Sequence, residues 1–122
     1  MCLFLPAKRP RTVPNNKGGR LLSGRLCRNV DTFTKRLNTP VQGAAADGVK
    51  HALALLWETR DRCPSARVVL VVHDEIVLEV PEEDAEKARE WLTGCMLRGM
   101  REVVEGVPIK VDAKVGRSWA DK

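Results

Sequence analysis

The sequence has almost no acidic residues at one end and no long apolar run. Residues 1–40 contain nine basic side chains but a single acid, Asp31, whereas the other 82 residues contain twelve basic and fifteen acidic ones. No stretch approaches the ~18 to 20 apolar residues that a membrane-spanning helix requires, which excludes that class of membrane protein. The opening residues also lack the charged and apolar regions of a secretory signal. We therefore expect a soluble, cytoplasmic protein with no membrane partner.

The sequence also lacks closely spaced cysteines. Cys2, Cys27, Cys63 and Cys95 form no C-x-x-C pair, so neither a zinc site nor a disulfide framework is indicated. We expect reduced thiols that serve as ordinary core or surface residues.

Residues 1–28 show neither the apolar period of a helix nor that of a strand. Three prolines and three glycines interrupt a basic composition, and such a segment buries too little apolar surface to offset the entropy of ordering the chain. The sequence therefore predicts an irregular, mobile basic segment over 1–28, followed by a folded body over 29–122.

Six basic residues cluster within twenty positions where this segment meets the body. Such a cluster attracts a polyanion through phosphate contacts and the release of counterions. A solvated basic tail accounts for the same composition equally well, so the pattern alone does not identify a nucleic acid partner. The six residues are Lys17, Arg20, Arg25, Arg28, Lys35 and Arg36.

The first helix is predicted to begin at Thr39. This residue can cap the helix, Pro40 suits the first helical position, and Gln42 completes a capping box. Apolar residues then recur at steps of three and four up to about Arg62, and Pro64 follows as a stop. The apolar residues of this stripe are Ala45, Val49, Ala52, Leu53 and Leu56.

Two short apolar segments follow, at 67–72 and 76–80, and they read as an antiparallel hairpin. The first is apolar throughout after Arg67, so we expect it to be buried on both faces. His73, Asp74 and Glu75 lie between the two segments. A turn at Asp74-Glu75 is unusual, because two-residue turns prefer glycine where positive φ is needed. A turn whose residues differ from those that such turns usually contain is a candidate functional site.

A second helix and a last strand complete the pattern. Pro81 and three acids open a helix whose inner apolar stripe runs from Ala85 to Val103 and which ends at Gly106. Residues 108–115 alternate between apolar and polar side chains, as a half-buried strand does. The element order predicts an α+β fold, in which an antiparallel sheet of the hairpin and the C-terminal strand carries two long helices on one face.

The predicted hairpin tip offers groups suited to metal chemistry. Two adjacent carboxylates, Asp74 and Glu75, can bind a hard cation such as Mg²⁺, which takes few protein oxygens. His73 can hydrogen-bond a phosphate or a terminal nucleotide. On the pattern alone, a solvated acidic tip and a histidine that merely ends a strand are the commoner outcomes.

Asn38 and Gln42 lie one helical turn apart across the predicted start of the first helix. Side-chain amides placed in this way can read base edges or minor-groove acceptors. The pattern alone favours capping instead, with Gln42 reaching back to the Thr39 backbone and Asn38 closing the preceding turn.

Two of these segments together resemble the C-terminal part of family A DNA polymerases. They are LNTPVQGAAAD at residues 37–47 and VVHDEIV at residues 71–77, and the second resembles the family's motif C. The sequence VGRSW at residues 115–119 is similar to the usual end of the family's chains. The resemblance runs from about Leu21 to Lys122, with a full helix between the two motifs.

The resemblance implies roles for the candidate residues. Asp74 would be one of two palm aspartates that hold the catalytic Mg²⁺ ions, Glu75 the acid beside that site, and His73 a contact to the primer terminus. Asn38 and Gln42 would contact the primer–template duplex from its minor-groove side.

Two arginines complete the DNA-binding set that the resemblance implies. Arg25 is similar to a basic position between the fingers and the palm. Many relatives carry a basic residue where this chain has Thr34, and Arg36 would take its place.

The resemblance is also incomplete. The sequence has no counterpart of motif A, which brings the second metal-binding aspartate, or of motif B, which binds the incoming nucleotide. The expected function is therefore the C-terminal palm part of a DNA-directed DNA polymerase. The intact family acts on primer–template DNA and deoxynucleoside triphosphates with two Mg²⁺ ions, and this chain alone would be catalytically incomplete.

Two alternatives remain open at the level of sequence. The alternatives to this function are a non-catalytic DNA-binding relic and one half of a split polymerase, in which a separate chain supplies motifs A and B.

Overall fold

A computed structural model describes residues 2–4, 18–21, 23–28 and 32–121. Two long helices are connected through a hairpin and accompanied by short strands, so the predicted α+β class is confirmed. Within the described ranges no helix is long and apolar enough to cross a membrane. The elements are β1 (Cys2–Phe4), β2 (Gly18–Arg20), β3 (Leu26–Arg28), α1 (Phe33–Glu58), β4 (Arg67–Val72), β5 (Glu75–Glu79), α2 (Ala85–Val103) and β6 (Lys110–Asp112).

The six described strands pair as three antiparallel two-stranded sheets. The hairpin of β4 and β5 runs in register from Arg67 opposite Glu79 to Val72 opposite Glu75. β2 pairs with β3, and the C-terminal strand β6 pairs with β1. Three short strands thus lie within the segment 1–28, where the sequence shows no strand period. Residues 5–17, with Lys17, lie outside the described residues, and the boundary at residue 28 stays a prediction.

Helix α1 begins six residues before the predicted capping residue Thr39, and that prediction is wrong. Thr32 caps the helix instead, because its side-chain oxygen accepts a hydrogen bond from the Lys35 amide at 3.4 Å. Pro40 lies inside the helix, where it supplies no N–H group. The helix continues through it because adding residues to a packed helix costs less than nucleating a new one. The predicted end near Arg62 is close, since α1 ends at Glu58 and a 3-10 turn continues to Arg62.

The core lies between α1 and α2. Gly99 of α2 is so close to α1 that a Cβ atom there would lie 2.5 Å from the backbone nitrogen of Ala52. Gly48 of α1 similarly faces the Met100 side chain. Small residues therefore set the distance between the helices.

The predicted inner stripe of α2 is confirmed as buried. Its buried members are Ala85, Ala88, Leu92, Cys95, Met96, Met100 and Val103.

Strand β4 is exposed along most of its length, so the prediction of burial on both faces is wrong. Val69 is 54% exposed and Leu70 39% exposed. Successive side chains of a strand lie on opposite faces, so this exposure means that neither face of β4 is fully covered in the described part of the chain. The core is closed by β5 instead, through Ile76. A row of β-branched residues therefore faces solvent on β4.

The cysteines Cys27, Cys63 and Cys95 are free thiols, as the sequence predicted. Cys95 lies in the core, and burial raises the pKa of its thiol above the ordinary value. A hydrogen bond with Thr59 opposes this shift to a smaller extent. The Cys95 thiol is therefore kept protonated and inert, as expected for a packing residue.

Candidate functional site

The hairpin tip is a two-residue turn formed by His73 and Asp74. Val72 pairs with Glu75, so Glu75 is the first residue of β5 and the predicted Asp74-Glu75 turn is wrong. His73 has a φ of +54°, the one positive φ of a non-glycine residue within the described ranges. Positive φ at the first turn position matches the twist of the two strands. For a residue with a Cβ atom it costs about 1–3 kcal/mol.

The core holds this tip in place from the β5 side. Asp74 and Glu75 are half-buried, whereas His73 is exposed. Ile76, the next residue along the chain, is 1% exposed and packs in the same core as Ala44 of α1. Glu75 therefore lies on a strand that is anchored in the core, and Asp74 directly precedes that strand, which is the support that a precise site needs.

His73 offers a test of the strained turn. The substitution His73→Gly is expected to keep or raise the free energy of unfolding, by up to ~1 kcal/mol, because glycine adopts positive φ without a Cβ penalty. The substitution His73→Val is expected to lower it by about 1–3 kcal/mol, because a β-branched residue tolerates this conformation poorly. Urea denaturation measures both values, and equal stability of the two variants would contradict the assigned strain.

The tip supplies two adjacent carboxylates, Asp74 and Glu75, as potential metal ligands. Among the described residues, no group of three His, Cys, Asp or Glu side chains could hold an ion. Mg²⁺ often takes only one or two protein carboxylates and keeps several waters. Asp74 and Glu75 therefore suit a magnesium site in which water or substrate oxygens supply the other ligands.

Asn38 and Gln42 both lie inside α1 and are exposed. Because the helix begins at Phe33, neither residue caps it, and the capping alternative is wrong. Residues four apart on a helix lie on the same face, roughly 6 Å apart along the axis. The two amides therefore form a short polar row on the surface of α1.

The two candidate arginines differ in their surroundings. Arg36 is exposed on α1, two residues before Asn38. Arg25 precedes β3, and its Nη2 atom lies 3.0 Å from the Oδ1 atom of Asp47. The position of Arg25 therefore depends on its ion pair with Asp47 of α1, whereas Arg36 is itself a residue of α1.

Asp47 was not among the candidate site residues that the sequence suggested. It is only 6% exposed, and it accepts a hydrogen bond from Ser23 Oγ in addition to pairing with Arg25. A buried carboxylate is costly unless such partners compensate its desolvation. The available signal was an acid inside an apolar helical stripe, between Ala44 and Val49, where a solvated acid is not expected.

The sequence of residues 21–121 matches the family model of DNA polymerase family A. This range contains the polar row of α1, the hairpin tip and α2, in the order in which the sequence motifs occur. The chain belongs to DNA polymerase family A.

Within this family the chain is similar to several DNA polymerases of bacteria and animals. It is 40% identical over 96 residues to DNA polymerase I of Geobacillus stearothermophilus, which covers 76% of this chain and 11% of the relative. It is 42% identical over 89 residues to the thermostable DNA polymerase I of Thermus filiformis, covering 69% of this chain and 10% of the relative. DNA polymerase theta of Caenorhabditis elegans is 35% identical over 85 residues, which are 70% of this chain and 5% of the relative. The chain therefore spans about a tenth or less of the length of these relatives.

Proposed function

We propose that this chain is the C-terminal palm part of a DNA-directed DNA polymerase, which extends a primer 3′ end by Mg²⁺-dependent nucleotidyl transfer. The observation that carries the proposal is the family match over residues 21–121, which includes a half-buried Asp74 at a turn anchored by the core. Deoxynucleoside triphosphates and primer–template DNA are the proposed substrates of the intact enzyme.

Each residue of the tip has a proposed role. Asp74 supplies one carboxylate to the metal site, and Glu75 adds a second acid beside it. His73, exposed at the turn, contacts the primer terminus. Bound Mg²⁺ would neutralise charge that develops on the transferred phosphate. The contribution of the fold is to hold these side chains on a strand whose next residue, Ile76, is fixed in the core.

The proposed DNA-binding face lies on α1 and the segment before it. The side-chain amides of Asn38 and Gln42 donate hydrogen bonds to acceptor atoms in the minor groove. These acceptors present the same pattern for either order of an A·T pair. Such contacts suit a polymerase because they do not depend on the sequence of the template. Arg25 and Arg36 add sequence-independent attraction to phosphates.

We further propose that this chain alone is catalytically incomplete. A two-metal site needs carboxylates on both sides of the ions, and the tip provides carboxylates of one turn only. The exposure of β4 supports this proposal, because its apolar side chains, such as Val69 at 54% exposed, are suited to packing against a further part of the palm. A separate chain that carries motifs A and B would complete the site.

A second candidate is a DNA-binding protein without catalytic activity. The observation in its favour is that Arg36, Asn38 and Gln42 are exposed on one helix, where they can contact a duplex without a metal ion. This candidate uses the same amides and basic residues, but it does not need Asp74.

Both candidates require binding to primer–template DNA, and a titration of the 122-residue chain with a labelled duplex tests this. The logarithm of the binding constant should fall linearly with the logarithm of salt concentration, with a slope of about −0.9 for each phosphate contact. The substitutions Asn38→Ala and Gln42→Ala are each expected to weaken binding about five- to tenfold, as loss of one hydrogen bond does.

A control and two contrary results complete this test. The substitution Glu90→Ala, at an exposed position of α2, should leave binding unchanged. Absence of binding at low salt would remove both candidates. Unaltered binding by the Asn38 and Gln42 variants would remove the proposed role of the amides.

A further inference from the structure

A buried carboxylate, that of Asp47, joins the residues just before β3 to helix α1. The Asp47 side chain is 8% exposed, and its Oδ1 atom lies 3.0 Å from Nη2 of Arg25, whose side chain is 48% exposed. Ser23 Oγ donates a hydrogen bond to the other carboxylate oxygen. Both oxygens of Asp47 are therefore engaged by residues that lie more than twenty positions earlier in the sequence.

An apolar contact one turn earlier on α1 adds to this attachment. Leu21 is 5% exposed and covers Gly43 so closely that a Cβ atom at Gly43 would lie 2.4 Å from its side chain. The backbone between the two contacts forms a tight turn, in which the Leu21 amide donates to the Arg25 carbonyl and the Gly24 amide to the Leu21 carbonyl, both at 2.9 Å. Leu21 and residues 23–25 form a turn that is thus attached to α1 at two points.

We propose that Asp47 is a positioning residue that fixes Arg25 and the turn of Leu21 and residues 23–25 against α1. Gly43 and Asp47 lie one helical turn apart, and Gln42 directly precedes Gly43, so the turn is attached to the part of α1 that presents Gln42. Asp47 thereby holds a cation beside the row of amides, while part of the Arg25 guanidinium stays accessible to a phosphate. This role in DNA binding rests on the proposed function, whereas the attachment of the turn does not.

Hydrogen exchange tests the attachment without DNA. The substitution Asp47→Asn keeps the shape of the side chain but removes its charge, and Arg25→Gln breaks the same pair from its exposed side. In both variants the amides of Leu21 and Gly24 should exchange about tenfold faster, as expected when a hydrogen bond to a charged group is lost. The amides of α2 should change much less.

The substitution Glu102→Gln is the matched control. It neutralises the carboxylate that lies 3.0 Å from Nδ1 of His51 and links α2 to α1, and it should leave exchange at Leu21 and Gly24 unchanged. Unaltered exchange at these two amides in Asp47→Asn, or an equal acceleration throughout α1 and α2, would overturn the proposal. The second result would mean that Asp47 supports the whole fold instead of this turn.

A double-mutant cycle then tests whether Asp47 acts on DNA binding through Arg25. We expect Asp47→Asn to weaken binding to a labelled primer–template duplex about threefold to tenfold in the parent chain and not at all in the Arg25→Gln background. An equal loss in both backgrounds would overturn the positioning role in binding. If the parent chain bound no DNA, the proposed function would fail, and the exchange measurements would still decide whether Asp47 fixes the turn.

Discussion

The substitution Asp74→Asn is expected to reduce primer extension about 10³-fold in a chimeric polymerase. In this chimera, the part of the present chain that is 40% identical to DNA polymerase I of Geobacillus stearothermophilus replaces the corresponding 96 residues of that enzyme. The asparagine keeps the size of the side chain but loses the charge that a metal ligand needs. Because Asp74 lies at a turn between two strands, the change should leave the fold intact.

The control for this experiment is an acid at the other end of β4. Asp61 is exposed in the 3-10 turn before that strand, and Asp61→Asn should leave the extension rate of the chimera unchanged. An active chimera that tolerates Asp74→Asn would contradict the role assigned to Asp74. Circular dichroism of each variant confirms that any loss is not a loss of folding.

The substitution Gly99→Ala is expected to lower the free energy of unfolding by about 1–3 kcal/mol. A Cβ atom at this position would lie 2.5 Å from the Ala52 nitrogen and 2.9 Å from the Gly48 carbonyl oxygen. Backbone atoms cannot rotate away as a side chain does, so the two helices would have to separate. Urea denaturation of the purified chain measures the change.

Gly94 provides a matched control on the same helix. A Cβ atom there would meet nothing within 4 Å, and alanine favours a helix over glycine by about 1 kcal/mol. The substitution Gly94→Ala should therefore stabilise the chain. If both alanine variants changed stability in the same direction, the close approach of α1 and α2 at Gly99 would be contradicted.

The sequence predicted the elements of the body more reliably than their ends. The prediction of the buried stripe of α2 was correct because seven apolar residues at helical spacing define which face of the helix is buried. The start of α1 was wrong because Pro40 and Gln42 imitate a helix start. The prediction that β4 is buried was wrong because an apolar strand indicates only what suits burial, while the elements that pack on its two faces decide whether it is buried.

The candidate site was predictable in part from local chemistry. The tip residues stood out because a turn without glycine departs from its usual composition, and the structure places the positive φ on His73. The attachment of Arg25 to Asp47 was not predictable, since it depends on a contact between residues 22 positions apart in the sequence. Periodicity within one helix carries no information about such a contact.

Primer extension by the purified 122-residue chain tests the central claim most directly. The chain is incubated with a primer–template duplex, Mg²⁺ and the four deoxynucleoside triphosphates, and primer length is followed with time. We expect binding of the duplex without extension, because the proposed two-metal site needs carboxylates on both sides of the ions, whereas Asp74 and Glu75 lie together at one hairpin tip. Robust extension that disappears in Asp74→Ala would contradict the claim that this chain is an incomplete palm.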